Sequence, residues 1–115
     1  MSVPEKVKIG WRTYEINQNE HKTSDNGKND LWGEIDYDRN KIYIYEKQPE
    51  EVKPVTLLHE IVHGIFCLSG HSDWRDNEDL VNCIAENLYQ VILDNPGLFG
   101  GQNENRNIDT SSHIE

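Results

Sequence analysis

Positive charge is scarce in this chain: 11 Lys and Arg stand against 21 Asp and Glu, a formal net charge of −10. Binding to a phosphate backbone draws on clustered Lys and Arg, and no such cluster occurs, so nucleic acid is excluded as an expected partner. No apolar run approaches the ~18 residues of a membrane-spanning helix, and no basic, apolar leader opens the sequence, so a cytoplasmic protein without membrane contact is expected. Cysteine is limited to Cys67 and Cys83, which cannot supply the four-ligand closure typical of a structural zinc site. Each lies in an apolar helical stretch and reads as a small buried hydrophobe rather than half of a disulfide. At 115 residues the chain has the length of one domain and can bury roughly two thirds of its unfolded surface without covalent staples.

The first half of the chain alternates in hydropathy. Val7, Ile9 and Trp11, then Tyr14 and Ile16, follow period two around Gly10, which predicts a strand pair or one bent strand. Leu31 to Ile35 and Lys41 to Tyr45 flank the turn-forming Asp38-Arg39-Asn40 and predict an antiparallel hairpin. Gln18 to Asp30 is almost wholly polar around Asp25-Asn26-Gly27 and reads as a loop. The second half is helical. Pro54 fits a first helical position and Gly70 a C-terminal stop. A second helix is expected from an N-cap at Asp76 to about Asp94, with Val81, Ile84, Ala85, Leu88, Val91 and Ile92 as its apolar stripe. The expected fold is α+β, a small antiparallel sheet of three to four strands packed on two helices. Residues 1–99 form the domain and 100–115 a polar tail with almost nothing to bury.

The first helix carries His59-Glu60-Ile61-Val62-His63. Positions four apart share a helix face, so His59 and His63 can turn two imidazole nitrogens toward one ion. Glu60, rotated about 100° from His59, falls beside that ion rather than on it, where a general base for a zinc-held water belongs. The flanks, Val55 to Leu58 and Ile65 to Leu68, are nearly continuous in apolar character. Polar side chains within such a buried segment need partners, and a metal provides them.

Catalytic zinc takes three protein ligands and keeps a fourth position open. Glu78 is the preferred third ligand, because it lies three residues before Val81 and seven before Ala85 on the stripe facing the first helix. The alternatives are Glu86, expected to face solvent; His71, better suited to a supporting or transition-state donor; and Cys67, which drifts too far around its own helix. His71, Arg75 and Tyr89 are candidates by type for stabilising a developing oxyanion. Lys41 to Tyr45 is a candidate edge for pairing with an extended peptide.

Leu57-Leu58-His59-Glu60-Ile61-Val62-His63-Gly64, followed by Asn77-Glu78-Asp79-Leu80-Val81, resembles a minimal gluzincin. It is similar in particular to small phage- and mobile-element-associated metallopeptidase-like domains of the ImmA/IrrE group, over roughly Leu31 to Phe99. The Glu-Ala-Asn start usual in that group's third-ligand stretch is missing. The resemblance implies a minimal zincin-like fold, a zinc cofactor on His59, His63 and Glu78, Glu60 as the catalytic acid and base, and a peptide or protein substrate. A zinc-stabilised binding or regulatory module of the same fold is the alternative expectation.

Overall fold

The computed structural model describes residues 3–24 and 30–100. Strand β1 (Lys6–Ile9) turns at Gly10, whose φ of 60° suits a residue without a Cβ, into β2 (Arg12–Asn19). Two short strands, β3 (Thr23–Ser24) and β4 (Asp30–Leu31), pair antiparallel, so part of the expected loop is ordered into a ribbon. Asp25-Asn26-Gly27 and residues 101–115 lie outside the described residues. Strand β5 (Gly33–Asp36) and β6 (Lys41–Tyr45) then form the expected hairpin. Its turn is held by the Asp36 carboxylate, which accepts from the amides of Asp38 and Arg39, and by Asn40 at φ 56°.

The sheet is mixed rather than antiparallel. Its order is β1-β2-β6-β5, and β2 runs parallel to β6, with Ile16 opposite Ile42. Burial accounts for this order: β6 contributes the fully buried Ile42 and Ile44, whereas β5 carries Gly33, Glu34 and Asp36 and takes the edge. Lys41 to Tyr45 is therefore bonded on both sides, and the free edge near the helices belongs to β5.

Helix α1 (Lys53–Leu68) lies across the sheet, and Leu57 joins Ile9, Tyr14, Ile16, Ile42 and Ile44 in the larger core. Proline occupies its first turn as expected. Its end is a Schellman motif, in which the His71 amide donates to the Phe66 carbonyl and the Gly70 amide to that of Cys67, with Gly70 at φ 79°. A four-residue helix not anticipated from sequence, α2 (Ser72–Arg75), follows directly. Helix α3 (Glu78–Asp94) is capped by Asn77, whose side chain accepts from the Leu80 amide, one residue beyond the expected Asp76 cap. Val81 and Ala85 pack with Val62 of α1 in a second, smaller core, while Leu88 and Val91 of the expected stripe are exposed. The described residues thus form three helices and not two. Cys67 is half-buried, Cys83 is exposed rather than buried, and both are free. No helix among the described residues is long and apolar enough to cross a membrane.

Candidate metal centre

His59 and His63 lie one turn apart on α1, with their Nε2 atoms 3.1 Å apart. Glu78, the first residue of α3, brings one carboxylate oxygen to 3.1 Å from His59 Nε2 and the other to 3.1 Å from His63 Nε2. A tetrahedral ion with ligand distances of about 2.0–2.2 Å has edges of roughly 3.3–3.6 Å, so three donors in a triangle of this size fit a single zinc-sized ion. Among the described residues these three are the group of His, Cys, Asp and Glu side chains gathered closely enough to hold a metal. The donor chemistry agrees. His63 Nδ1 lies 2.7 Å from the Arg75 carbonyl oxygen, which makes Nδ1 the protonated donor and leaves the Nε2 lone pair directed at the cluster. Burial, then the neighbouring His63, lowers the His59 pKa against the opposing pull of Glu78 and Asn82, which favours the neutral imidazole that a metal needs.

The geometry is built by short local devices. The Schellman turn after α1 leads without a loop into α2, which returns the chain so that Arg75 presents its carbonyl to His63. The Asn77 cap then starts α3 at the residue that completes the triangle. Glu78 remains 64% exposed at its side chain, so the cluster opens outward on the side of α3.

Glu60 stands beside the triangle and not in it. It is only 6% exposed, yet it lines a cleft of about 470 Å³ together with Gly33, Glu34, Tyr37, His59, His63, Arg75 and Glu78. Burial, followed by the negative charges of Glu78 and Glu34, pushes its pKa up to about 8. Strand β5 forms the opposite wall, and its approach is close. A Cβ added at Gly33 would meet Thr56 Cγ2 at 2.5 Å and Glu60 Oε2 at 3.1 Å, so only glycine lets the strand lie against this turn of α1. A buried clamp fixes the approach: the Thr56 hydroxyl donates to Gln48 Oε1, and the Gln48 amide donates to the carbonyls of Trp32 and Tyr45.

The other sequence candidates are dispersed. Glu86 is exposed on α3 and outside the triangle, as expected. His71 stacks on Trp74 with ring centroids 3.6 Å apart, Tyr89 borders an apolar hollow elsewhere, and Cys67 stays out of the cluster. Of the three oxyanion candidates only Arg75 reaches the cleft, where its guanidinium pairs with Asp76 and lies 5.7 Å from the centre of the Tyr37 ring. Tyr37 was not singled out by its sequence, because a tyrosine after a strand carries no signature of where its ring will lie. The Arg75 carbonyl was equally invisible, since any residue supplies one. Comparison of the chain with family models, with curated proteins and with solved structures gives no match.

Proposed function

We propose that the chain is a zinc-dependent metallopeptidase of the gluzincin type, related to the ImmA/IrrE-like domains, with His59, His63 and Glu78 as ligands and Glu60 as general base. The observation that carries this is the pairing of a three-donor triangle with a buried, cleft-facing carboxyl that is not itself a donor. Zinc bound there supplies a Lewis acid and lowers the pKa of water toward about 7. The chain's own groups do the rest. Glu60 accepts the proton of the attacking water as its oxygen adds to the peptide carbonyl carbon. It passes that proton to the nitrogen as the C–N bond breaks, leaving a carboxylic acid and an amine.

Strand β5 supplies a means of presenting the substrate. The Tyr45 amide donates to the Trp32 carbonyl, so positions 32, 34 and 36 face β6 while Gly33 and Ile35 turn their backbone groups to the free edge. An extended peptide bonded to Gly33 passes directly alongside Glu60. Arg75 and Tyr37 are the groups in the cleft able to stabilise negative charge on the carbonyl oxygen.

The test is a pair of variants assayed on a broad peptide library. Glu60→Gln is expected to bind about one zinc per chain and to lose hydrolysis by roughly a hundredfold or more, whereas His59→Ala and His63→Ala lose the metal itself. Wild type that carries zinc yet matches Glu60→Gln in cleaving nothing would turn the assignment toward a zinc-stabilised binding module.

A further inference from the structure

A second cavity, of about 270 Å³, adjoins the cleft on the opposite side of Glu60. The two share Leu31, Gly33, His59 and Glu60, so they form one trough divided at the catalytic carboxyl. The first cavity runs along Gly33 to Tyr37, and the second lies past the start of β5, at Leu31 and Trp32. A peptide pairing antiparallel with β5, the more stable of the two pairings, runs from the Tyr37 end toward the Gly33 end. Its cleaved bond then lies at the divide, and the second cavity receives the side chain on the amine side of that bond. This assignment rests on the metallopeptidase reading and adds the substrate class to it.

The lining of that cavity is specific in character. Its apolar walls come from Trp32, Val52, Val55 and Ala85, and its polar groups are Thr56, His59 and Glu60 on α1 with Asn82 and Glu86, one turn apart, on α3. Among the described residues no Lys or Arg lines it, although the Lys22 ammonium lies 5.9 Å from the centre of the Trp32 ring. Among the described residues nothing pairs with the Glu86 carboxylate. Apolar walls ending in an unpaired carboxylate match a side chain with an alkyl stem and a cationic head. We propose that the substrate carries lysine or arginine immediately after the cleaved bond, seated against Val55 and Ala85 with its charge at Glu86, and that Glu86 determines this specificity.

The experiment uses the zinc-loaded full chain and an octapeptide library randomised at every position, with cleavage sites read by mass spectrometry. Lysine and arginine should be enriched about twofold to fivefold on the amine side of the cut, as expected for an exposed charge pair. Glu86→Gln should flatten the preference, and Glu86→Lys should invert it toward aspartate and glutamate, with zinc content unchanged in both. In parallel, zinc-loaded Glu60→Gln in a Trp11→Phe, Trp74→Phe background is titrated with Ala-Ala-Ala-Lys-Ala-Ala and with the same peptide bearing glutamate in place of lysine, and the fluorescence of Trp32, the one tryptophan left, reports occupancy of the cavity. Cleavage indifferent to charge at this position, or a preference that survives Glu86→Lys, overturns the proposal and leaves the peptidase standing. Glu86-dependent binding of the lysine peptide without any cleavage keeps the pocket and removes the peptidase. Neither cleavage nor charge-selective binding removes both.

Discussion

The carboxyl of Glu60 is held protonated in the metal-free protein by its surroundings, and this has a stability consequence with a definite sign. Its pKa rises from 4.5 to about 8, first through burial and then through the charges of Glu78 and Glu34. Below pH 4.5 the group is protonated in folded and unfolded chains alike, and its contribution to stability is fully present. Between pH 4.5 and 8 the unfolded chain releases a proton that the folded chain keeps, so stability falls by up to about 1.4 kcal/mol per pH unit. Above about pH 8 the loss is complete. Glu60→Gln has no proton to release, so urea unfolding of chelator-treated protein should show a shallower decline from pH 5 to 8 than wild type, with the variant the more stable at pH 8. Parallel curves for the two proteins would show that Glu60 is not ionisation-limited in this way. At this scale the sequence was most informative: the spacing of His59, Glu60 and His63 on one helix, and Glu78 on the stripe of the next, are local relations set by 3.6-residue periodicity. Backbone groups such as the Arg75 carbonyl carry no such mark.

Elements bring these residues together, and the critical approach is that of β5 to α1. The Gln48 clamp closes the distance, and the lack of a side chain at Gly33 permits it. A methyl group at Gly33 has to displace either Thr56 or the strand. Gly33→Ala is therefore expected to cost roughly 1–3 kcal/mol, the usual penalty of overpacking, and to lower peptide hydrolysis well beyond what that loss of stability explains, because the strand moves away from Glu60. Zinc content should be unchanged, since no ligand lies on β5. Measured zinc stoichiometry with kcat/KM separates this from general misfolding, and a variant of normal activity would show that the approach has slack. Element ends were readable wherever residues punctuate them, as Pro54 and Gly70 do for α1. Neighbouring candidates at the start of α3 were harder to rank, and Asn77 caps where Asp76 was expected, because both can accept from an N-terminal amide. The order of the strands was not readable. Alternation shows which face of a strand is buried and is silent on its neighbours, so the parallel β2–β6 pair and the edge position of β5 emerge only when the most apolar strand has claimed the interior.

Across the whole molecule the two cores differ in size, and the candidate ligands span the division between them. The sheet and α1 share a core of six buried residues, whereas α3 rests on α1 through Val62, Val81 and Ala85, with Leu88, Val91 and Leu93 exposed along its second half. His59 and His63 belong to the well-packed layer and Glu78 to the thinly packed one. A metal held by all three therefore adds a tie between the two layers. Binding only the folded form stabilises by RT ln(1 + [L]/Kd), about 4 kcal/mol at a free zinc concentration a thousand times Kd. Removal of the ion should accordingly be felt unevenly. Amide exchange in α2 and α3 should accelerate by about a hundredfold or more on chelation, as local opening of the lightly packed layer, while the buried positions Ile16, Ile42 and Ile44 change far less. Glu78→Gln should reproduce this pattern in the presence of zinc, because the tie to α3 is weakened, and Glu86→Gln should not. Uniform acceleration across sheet and helices would instead mean that the two layers unfold as one, and that the metal stabilises the molecule without acting as the fastening of α3.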